Sequence, residues 1–150
     1  MLYFLIVFSL LGLDQFTKYL IVSHYSVGDF TQIYENFFNI RYVRNYGAGF
    51  SILQNQTIFL TMISLLAVVG LSYLLYTSRK TEKLQRACYL LIIAGSLGNL
   101  IDRIRLGYVV DFLDFILLGW DYPVFNFADC CICVGCVLLM ITVFMENKNA

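Results

Sequence analysis

Apolar residues gather in four long stretches separated by polar segments: about Met1–Val22, Thr57–Thr77, Ala87–Ile104 and Val124–Met145. Each approaches the length of about 20 residues with which a helix crosses hydrocarbon. The pattern therefore predicts a mainly α, polytopic membrane protein with four transmembrane helices. Residues 1–150 read as a single membrane-embedded domain, with no stretch long enough for two spans and no internal repeat. The first stretch invites comparison with a secretory leader. Its first basic residue is Lys18 and no small-residue cleavage site follows, so it is expected to be a retained helix. Between the spans, Phe38-Asn39-Ile40-Arg41-Tyr42-Val43-Arg44 partly alternates apolar and polar residues, as a short strand at the membrane surface does. Gly107-Tyr108-Val109-Val110-Asp111-Phe112 suggests a second strand. Together they predict a small extracytoplasmic β-containing region.

Composition strengthens the membrane reading. Of the 150 residues, 60% are hydrophobic and 13% charged, against about 25% charged in soluble domains. A single proline suits uninterrupted helices. Net charge is zero and no basic block is present, so nucleic acid is not an expected partner. The segment Ser78–Arg86 carries Arg79, Lys80, Lys83 and Arg86, which marks it as the cytoplasmic loop. Four spans then put both termini in the cytoplasm. The total of basic residues is even, five inside and five outside, so loop density carries the assignment. Acidic residues are lopsided: apart from Glu82 and Glu146 they fall at the outer side. Four of the five cysteines (Cys130, Cys131, Cys133 and Cys136) lie in one apolar stretch, with Cys88 elsewhere, which is not a secreted disulfide framework. With His24 the sole histidine, no metal site and no cofactor are expected.

Ionisable groups in spans are costly and point to function. Asp14 and Lys18 are spaced i,i+4 on one face of the first span and can form an internal ion pair. Asn99, Asp102 and Arg103 share a face at the end of the third, where Asp102 and Arg103 can pair with each other. Asn126 and Asp129 share a face at the start of the fourth, just after Pro123, and Asp129 can serve as a first-turn acid. Asp111 lies in the loop between spans three and four. An aspartic peptidase needs two carboxylates sharing a proton, one activating water and the other donating to the scissile carbonyl. Asp102, Asp111 and Asp129 all qualify on position, with Asp14 and Asp114 less well placed, and composition does not choose among them.

Five stretches carry a resemblance: Asp14-Gln15-Phe16-Thr17-Lys18, Asn45-Tyr46-Gly47-Ala48-Gly49-Phe50-Ser51, Gly98-Asn99-Leu100-Ile101-Asp102-Arg103, Val109-Val110-Asp111-Phe112 and Phe125-Asn126-Phe127-Ala128-Asp129. In this order the chain resembles the bacterial lipoprotein signal peptidase (signal peptidase II) family over essentially its full length. Gly49 departs from the family's usual Ala. The resemblance implies an aspartic endopeptidase of the bacterial cytoplasmic membrane, working as a monomer among membrane lipid. Its substrate would be a diacylglyceryl-modified prolipoprotein, cut just before the lipidated Cys. By motif position it makes Asp111 and Asp129 the catalytic pair. Asn45, Asn99, Arg103 and Asn126 would bind substrate backbone or orient the pair. Lys18 would support it, with Asp14 and Asp102 more structural. Residues 38–51 would close over the peptide as a lid, bending at Gly47 and Gly49.

Other classes fit less well. A transporter or proton conductor also carries intramembrane acids, but here they cluster at one membrane face, and no span is broken at its midplane. A thiol oxidase would need exposed cysteines near the outer loops, whereas these follow Asp129 into an apolar span and suit helix packing. A serine peptidase with Lys18 as base lacks an obvious paired Ser.

Overall fold

The structure, a computed structural model, describes residues 2–48, 52–79 and 81–149, with side chains up to Met145. Gly49 and Lys80, which the sequence singles out, and the side chain of Lys148 lie outside this description.

Four helices are long and apolar enough to cross a membrane: α1 (Leu2–His24), α2 (Thr57–Thr77), α3 (Lys83–Leu106) and α4 (Phe127–Asn149). α3 is the central post, packed against α1, α2 and α4. Two thirds of its apolar window is buried inside the protein, against 6% for α2. The outer faces of α1, α2 and α4 instead present Phe8, Phe16, Leu66, Tyr73, Val137 and Phe144, an apolar surface suited to hydrocarbon. Small residues let α4 approach α3 closely. A Cβ at Gly95 would strike the Ala128 carbonyl and Ile132, and one at Gly135 would come within 2.6 Å of Ile92.

The helices differ from the sequence expectation mainly at their ends. α3 begins at Lys83 rather than near Ala87, because Arg86 can stay in the helix while stacking on Tyr3 and donating to the Ser78 carbonyl. α4 begins at Phe127 rather than near Val124. Phe125 is used instead in an antiparallel bridge with Leu113, its N–H and C=O both bonded to that residue. α3 ends at Gly107, whose φ of +79° lets its N–H close back on the Arg103 carbonyl.

The remaining chain forms an antiparallel sheet in the order β1 (Phe30–Tyr34), β2 (Phe38–Asn45), β3 (Val109–Leu117), β4 (Trp120–Asp121). β2 covers the first predicted strand. β3 starts two residues later than predicted and runs on to Leu117. β1 and β4 were not anticipated. Ile21 of α1 packs with Tyr42, Val110 and Phe112, fixing the sheet over the end of the bundle that holds the C-terminal end of α1. β2 is paired on both sides, to β1 and to β3. It is therefore a fixed strand, and within residues 38–51 a moving lid could begin only after Asn45.

Candidate active site

Polar side chains from the ends of α1, α3 and α4 meet the sheet edge in one connected network. Its base is Lys18, whose ammonium lies 3.0 Å from Asp14 and 2.9 Å from Asp102 and donates to Asn99 Oδ1 at 3.1 Å. All four residues are buried. Buried charges persist when paired and hydrogen-bonded, and here each acid also accepts backbone. Asp14 Oδ1 takes the Ala128 N–H at 3.0 Å, and Asp102 Oδ2 takes the Val110 N–H at 3.1 Å. Gln15 donates to both acids, at 3.1 and 3.0 Å, a role its place in the first motif did not reveal. The Asp14–Lys18 pair expected from spacing thus forms as one half of a triad. Asp102 does not pair with Arg103: one helical step apart, their side chains diverge, and Asp102 turns to Lys18. Arg103 donates to the Gly47 carbonyl at 3.0 Å.

Asp111 and Asp129 sit above this base. Asp111 is 1% exposed and accepts Asn126 Nδ2 at 2.6 Å on Oδ1 and Asn45 Nδ2 at 2.8 Å on Oδ2. Asp129 is half-buried, accepting Asn99 Nδ2 at 2.8 Å and the Asn126 N–H at 3.2 Å. Asn126 returns the latter bond, its Oδ1 accepting the Asp129 N–H at 3.0 Å. This reciprocal pair is a capping box at the start of α4, so the local rule that begins the helix also orients the carboxylate. Burial first, and the neighbouring Asp129 charge second, push Asp111 up to about 7. Asp114 lies elsewhere on the sheet, held by Asn39 at 3.3 Å and Arg41 at 3.6 Å.

All nine residues singled out in the sequence (Asp14, Lys18, Asn45, Asn99, Asp102, Arg103, Asp111, Asn126 and Asp129) therefore fall in one network. The cysteines do not: Cys88 and Cys131 are buried, Cys133 and Cys136 face outward, and all five are unpaired. Among the described residues no cluster of three His, Cys, Asp or Glu side chains could hold a metal ion.

Four membrane-length helices, with two neighbouring carboxylates on β3 and α4 each held by asparagine amides, define a multi-pass membrane protein with the makings of a hydrolase. The comparisons name the family. The family described as Signal peptidase (SPase) II matches residues 6–145, and the chain belongs to it. It is 46% identical to a protein of Clostridioides difficile (strain 630) named lipoprotein signal peptidase, over 99% of each chain. It is 39% identical to the protein of that name from Bacillus pumilus (strain SAFR-032), over 99% of this chain and 96% of the relative. A solved structure described as a bacterial membrane enzyme superposes with a TM-score of 0.92 at 33% identity, covering 98% of this chain and 90% of the other.

Proposed function

We propose that the chain is a membrane aspartic endopeptidase that removes the signal peptide from diacylglyceryl-modified prolipoproteins, cutting just before the lipidated Cys. Asp111 and Asp129 are its catalytic pair. The observation that carries this reading is Asn126, which donates its side-chain amide to Asp111 and its backbone amide to Asp129. One residue thus fixes two carboxylates that would otherwise repel.

The chemistry follows from that arrangement. At neutral pH the buried pair holds one proton between them, as two close carboxylates do. The ionised member takes a proton from a water as that water attacks the scissile carbonyl, and the protonated member donates to the carbonyl oxygen. Asp129, the more exposed of the two, offers the approach for water and peptide. The Asn45, Asn99 and Asn126 amides keep both carboxylates aimed, and Arg103 offsets their negative charge while holding the loop at Gly47. The triad of Asp14, Lys18 and Asp102 is structural.

The basic segment around residues 79–86 supports a cytoplasmic assignment for that loop, with both termini on the same side. The network lies at the opposite helix ends, so the site opens at the outer face of the bacterial cytoplasmic membrane, where a lipid-anchored precursor presents its cleavage point. Both acids and their partners come from one chain, which suits action as a monomer.

The test is mass spectrometry of the products from a precursor peptide supplied with and without the diacylglyceryl group. The lipidated peptide should be cut just before its modified Cys. A cut elsewhere, or equal cleavage of the unlipidated peptide, would contradict the substrate assignment.

A further inference from the structure

On β2, Tyr42 and Arg44 stand at the two-residue spacing that puts side chains on one side of a strand, turned away from Asn45, and Tyr46 follows just past the strand's end. The Arg44 guanidinium carbon lies 4.8 Å from the centre of the Tyr108 ring and 6.0 Å from that of Tyr42. Its Nε donates to the Tyr42 hydroxyl at 3.3 Å. Tyr46 also packs on Tyr108, with ring centres 5.5 Å apart. Among the described residues, the partners of Arg44 are rings and a phenol rather than a carboxylate. None of these groups has a part in the chemistry above, yet they sit against its most constrained point. Arg44 directly precedes Asn45, the last residue of β2, and Tyr108 directly precedes Val109, the first of β3. Asn45 and Val109 form the last rung between the two strands.

We propose that the Arg44–Tyr108 stack is a positioning device: it locks the last rung of the β2–β3 ladder and thereby keeps the Asn45 amide on the Asp111 carboxylate. The competition at Asn45 explains why a lock is needed. Its Nδ2 serves Asp111 at 2.8 Å but also reaches the Ala48 carbonyl at 3.3 Å, and its Oδ1 accepts the Gly47 N–H at 2.8 Å. Two of these three partners belong to its own loop. If the rung opens, Asn45 stays with that loop and leaves Asp111. Arg44 stacked across the end of the ladder opposes this opening, as a cation over an aromatic face does. The bond at stake favours the ionised form of Asp111. The other groups around Asp111 are Lys18 on α1, Asp102 and Arg103 on α3, Asn126 ahead of α4, and Asp129 on α4. None of them changes when the stack is altered. The catalytic consequence rests on the reading of Asp111 as one of the reacting pair.

The test compares Tyr108→Leu, which removes the ring without altering charge, with Tyr108→Phe, which keeps it. Asp111 titration is followed by carbon-13 NMR of labelled aspartate in the full-length protein in detergent, and cleavage is assayed alongside. Tyr108→Leu should move the Asp111 titration to higher pH and lower kcat about five- to tenfold, the scale of one lost hydrogen bond, with KM nearly unchanged. Tyr108→Phe should match the wild type. In an Asn45→Ala background, Tyr108→Leu should have no further effect on either readout, which a merely structural role would not produce. An Asp111 titration unmoved by Tyr108→Leu, or effects that simply add in the double variant, would overturn the proposal. If Asp111→Asn still cleaves, the assignment of Asp111 to the catalytic pair fails separately, because the titration reads the positioning without reference to catalysis.

Discussion

The carboxylate of Asp102 accepts the backbone N–H of Val110 at 3.1 Å, one residue before Asp111. Asp14 does the same for Ala128, one residue before Asp129, and Lys18 joins the two acids. Removing the lysine alone strands two buried carboxylates. Lys18→Met should therefore destabilise the protein by about 3–5 kcal/mol. The triple change Asp14→Asn, Lys18→Met, Asp102→Asn should recover much of that loss. Thermal unfolding in detergent checks both.

The Asp111 carboxyl makes activity and stability depend on pH in opposite ways to a salt-bridged acid. Its folded value of about 7 lies above the ordinary 3.8. Such a group contributes stability below about pH 4 and loses it as pH rises through about 7. Asp111→Asn, which cannot ionise, should gain stability on the wild type near pH 8, and the gap should close toward pH 4. The cleavage rate of the wild type should fall as pH climbs through about 7, when the shared proton leaves. Unfolding and rate profiles across pH 4–9 read both.

Gly98 leaves no room for a side chain. A Cβ there would collide with the Asp14 carboxylate and lie 3.2 Å from the Ala128 Cβ. Gly98→Ala should cost about 1–3 kcal/mol by overpacking and lower activity through displacement of Asp14, Ala128 and hence Asp129. Gly12→Ala, with open space around its Cβ position, should change neither. Paired measurements of melting temperature and cleavage distinguish the two.

Capping and catalytic alignment can be separated at Asn126. Asn126→Ser keeps an oxygen for the Asp129 N–H and should retain most of the stability, whereas Asn126→Ala should lose about 1 kcal/mol of cap. Both lose the amide on Asp111 and should lower kcat by about tenfold or more, as the loss of a bond to a carboxylate does. A Ser variant with normal kcat would assign Asn126 to the helix start alone.

Much of this was legible in the sequence because hydrocarbon makes polar residues conspicuous. The four spans and the cluster Asp14, Lys18, Asn99, Asp102, Asn126 and Asp129 stand out against apolar surroundings. Asp111 did not, since a loop Asp looks like any other until the family motif picks it out. Spacing alone points Arg103 at Asp102, because it ignores a third partner, Lys18, on another helix. Gln15 carries no signal of its own, because an amide beside an acid in a helix shows no pattern until α3 is packed against it. β1 was missed for a related reason: Phe30–Tyr34 is exposed along its whole length, so burial never imposes alternation on it. The start of α4 was placed early because Phe125 is apolar, and its use in a bridge to Leu113 depends on the tertiary fold.

The assignment of Asp111 and Asp129 is most directly tested by cleavage of a diacylglyceryl-modified prolipoprotein in detergent by the wild type, Asp111→Asn and Asp129→Asn, with melting temperatures taken on the same samples. The account predicts that the wild type cleaves and that both variants fold and are inactive. Normal cleavage by either folded variant would contradict the paired-carboxylate mechanism.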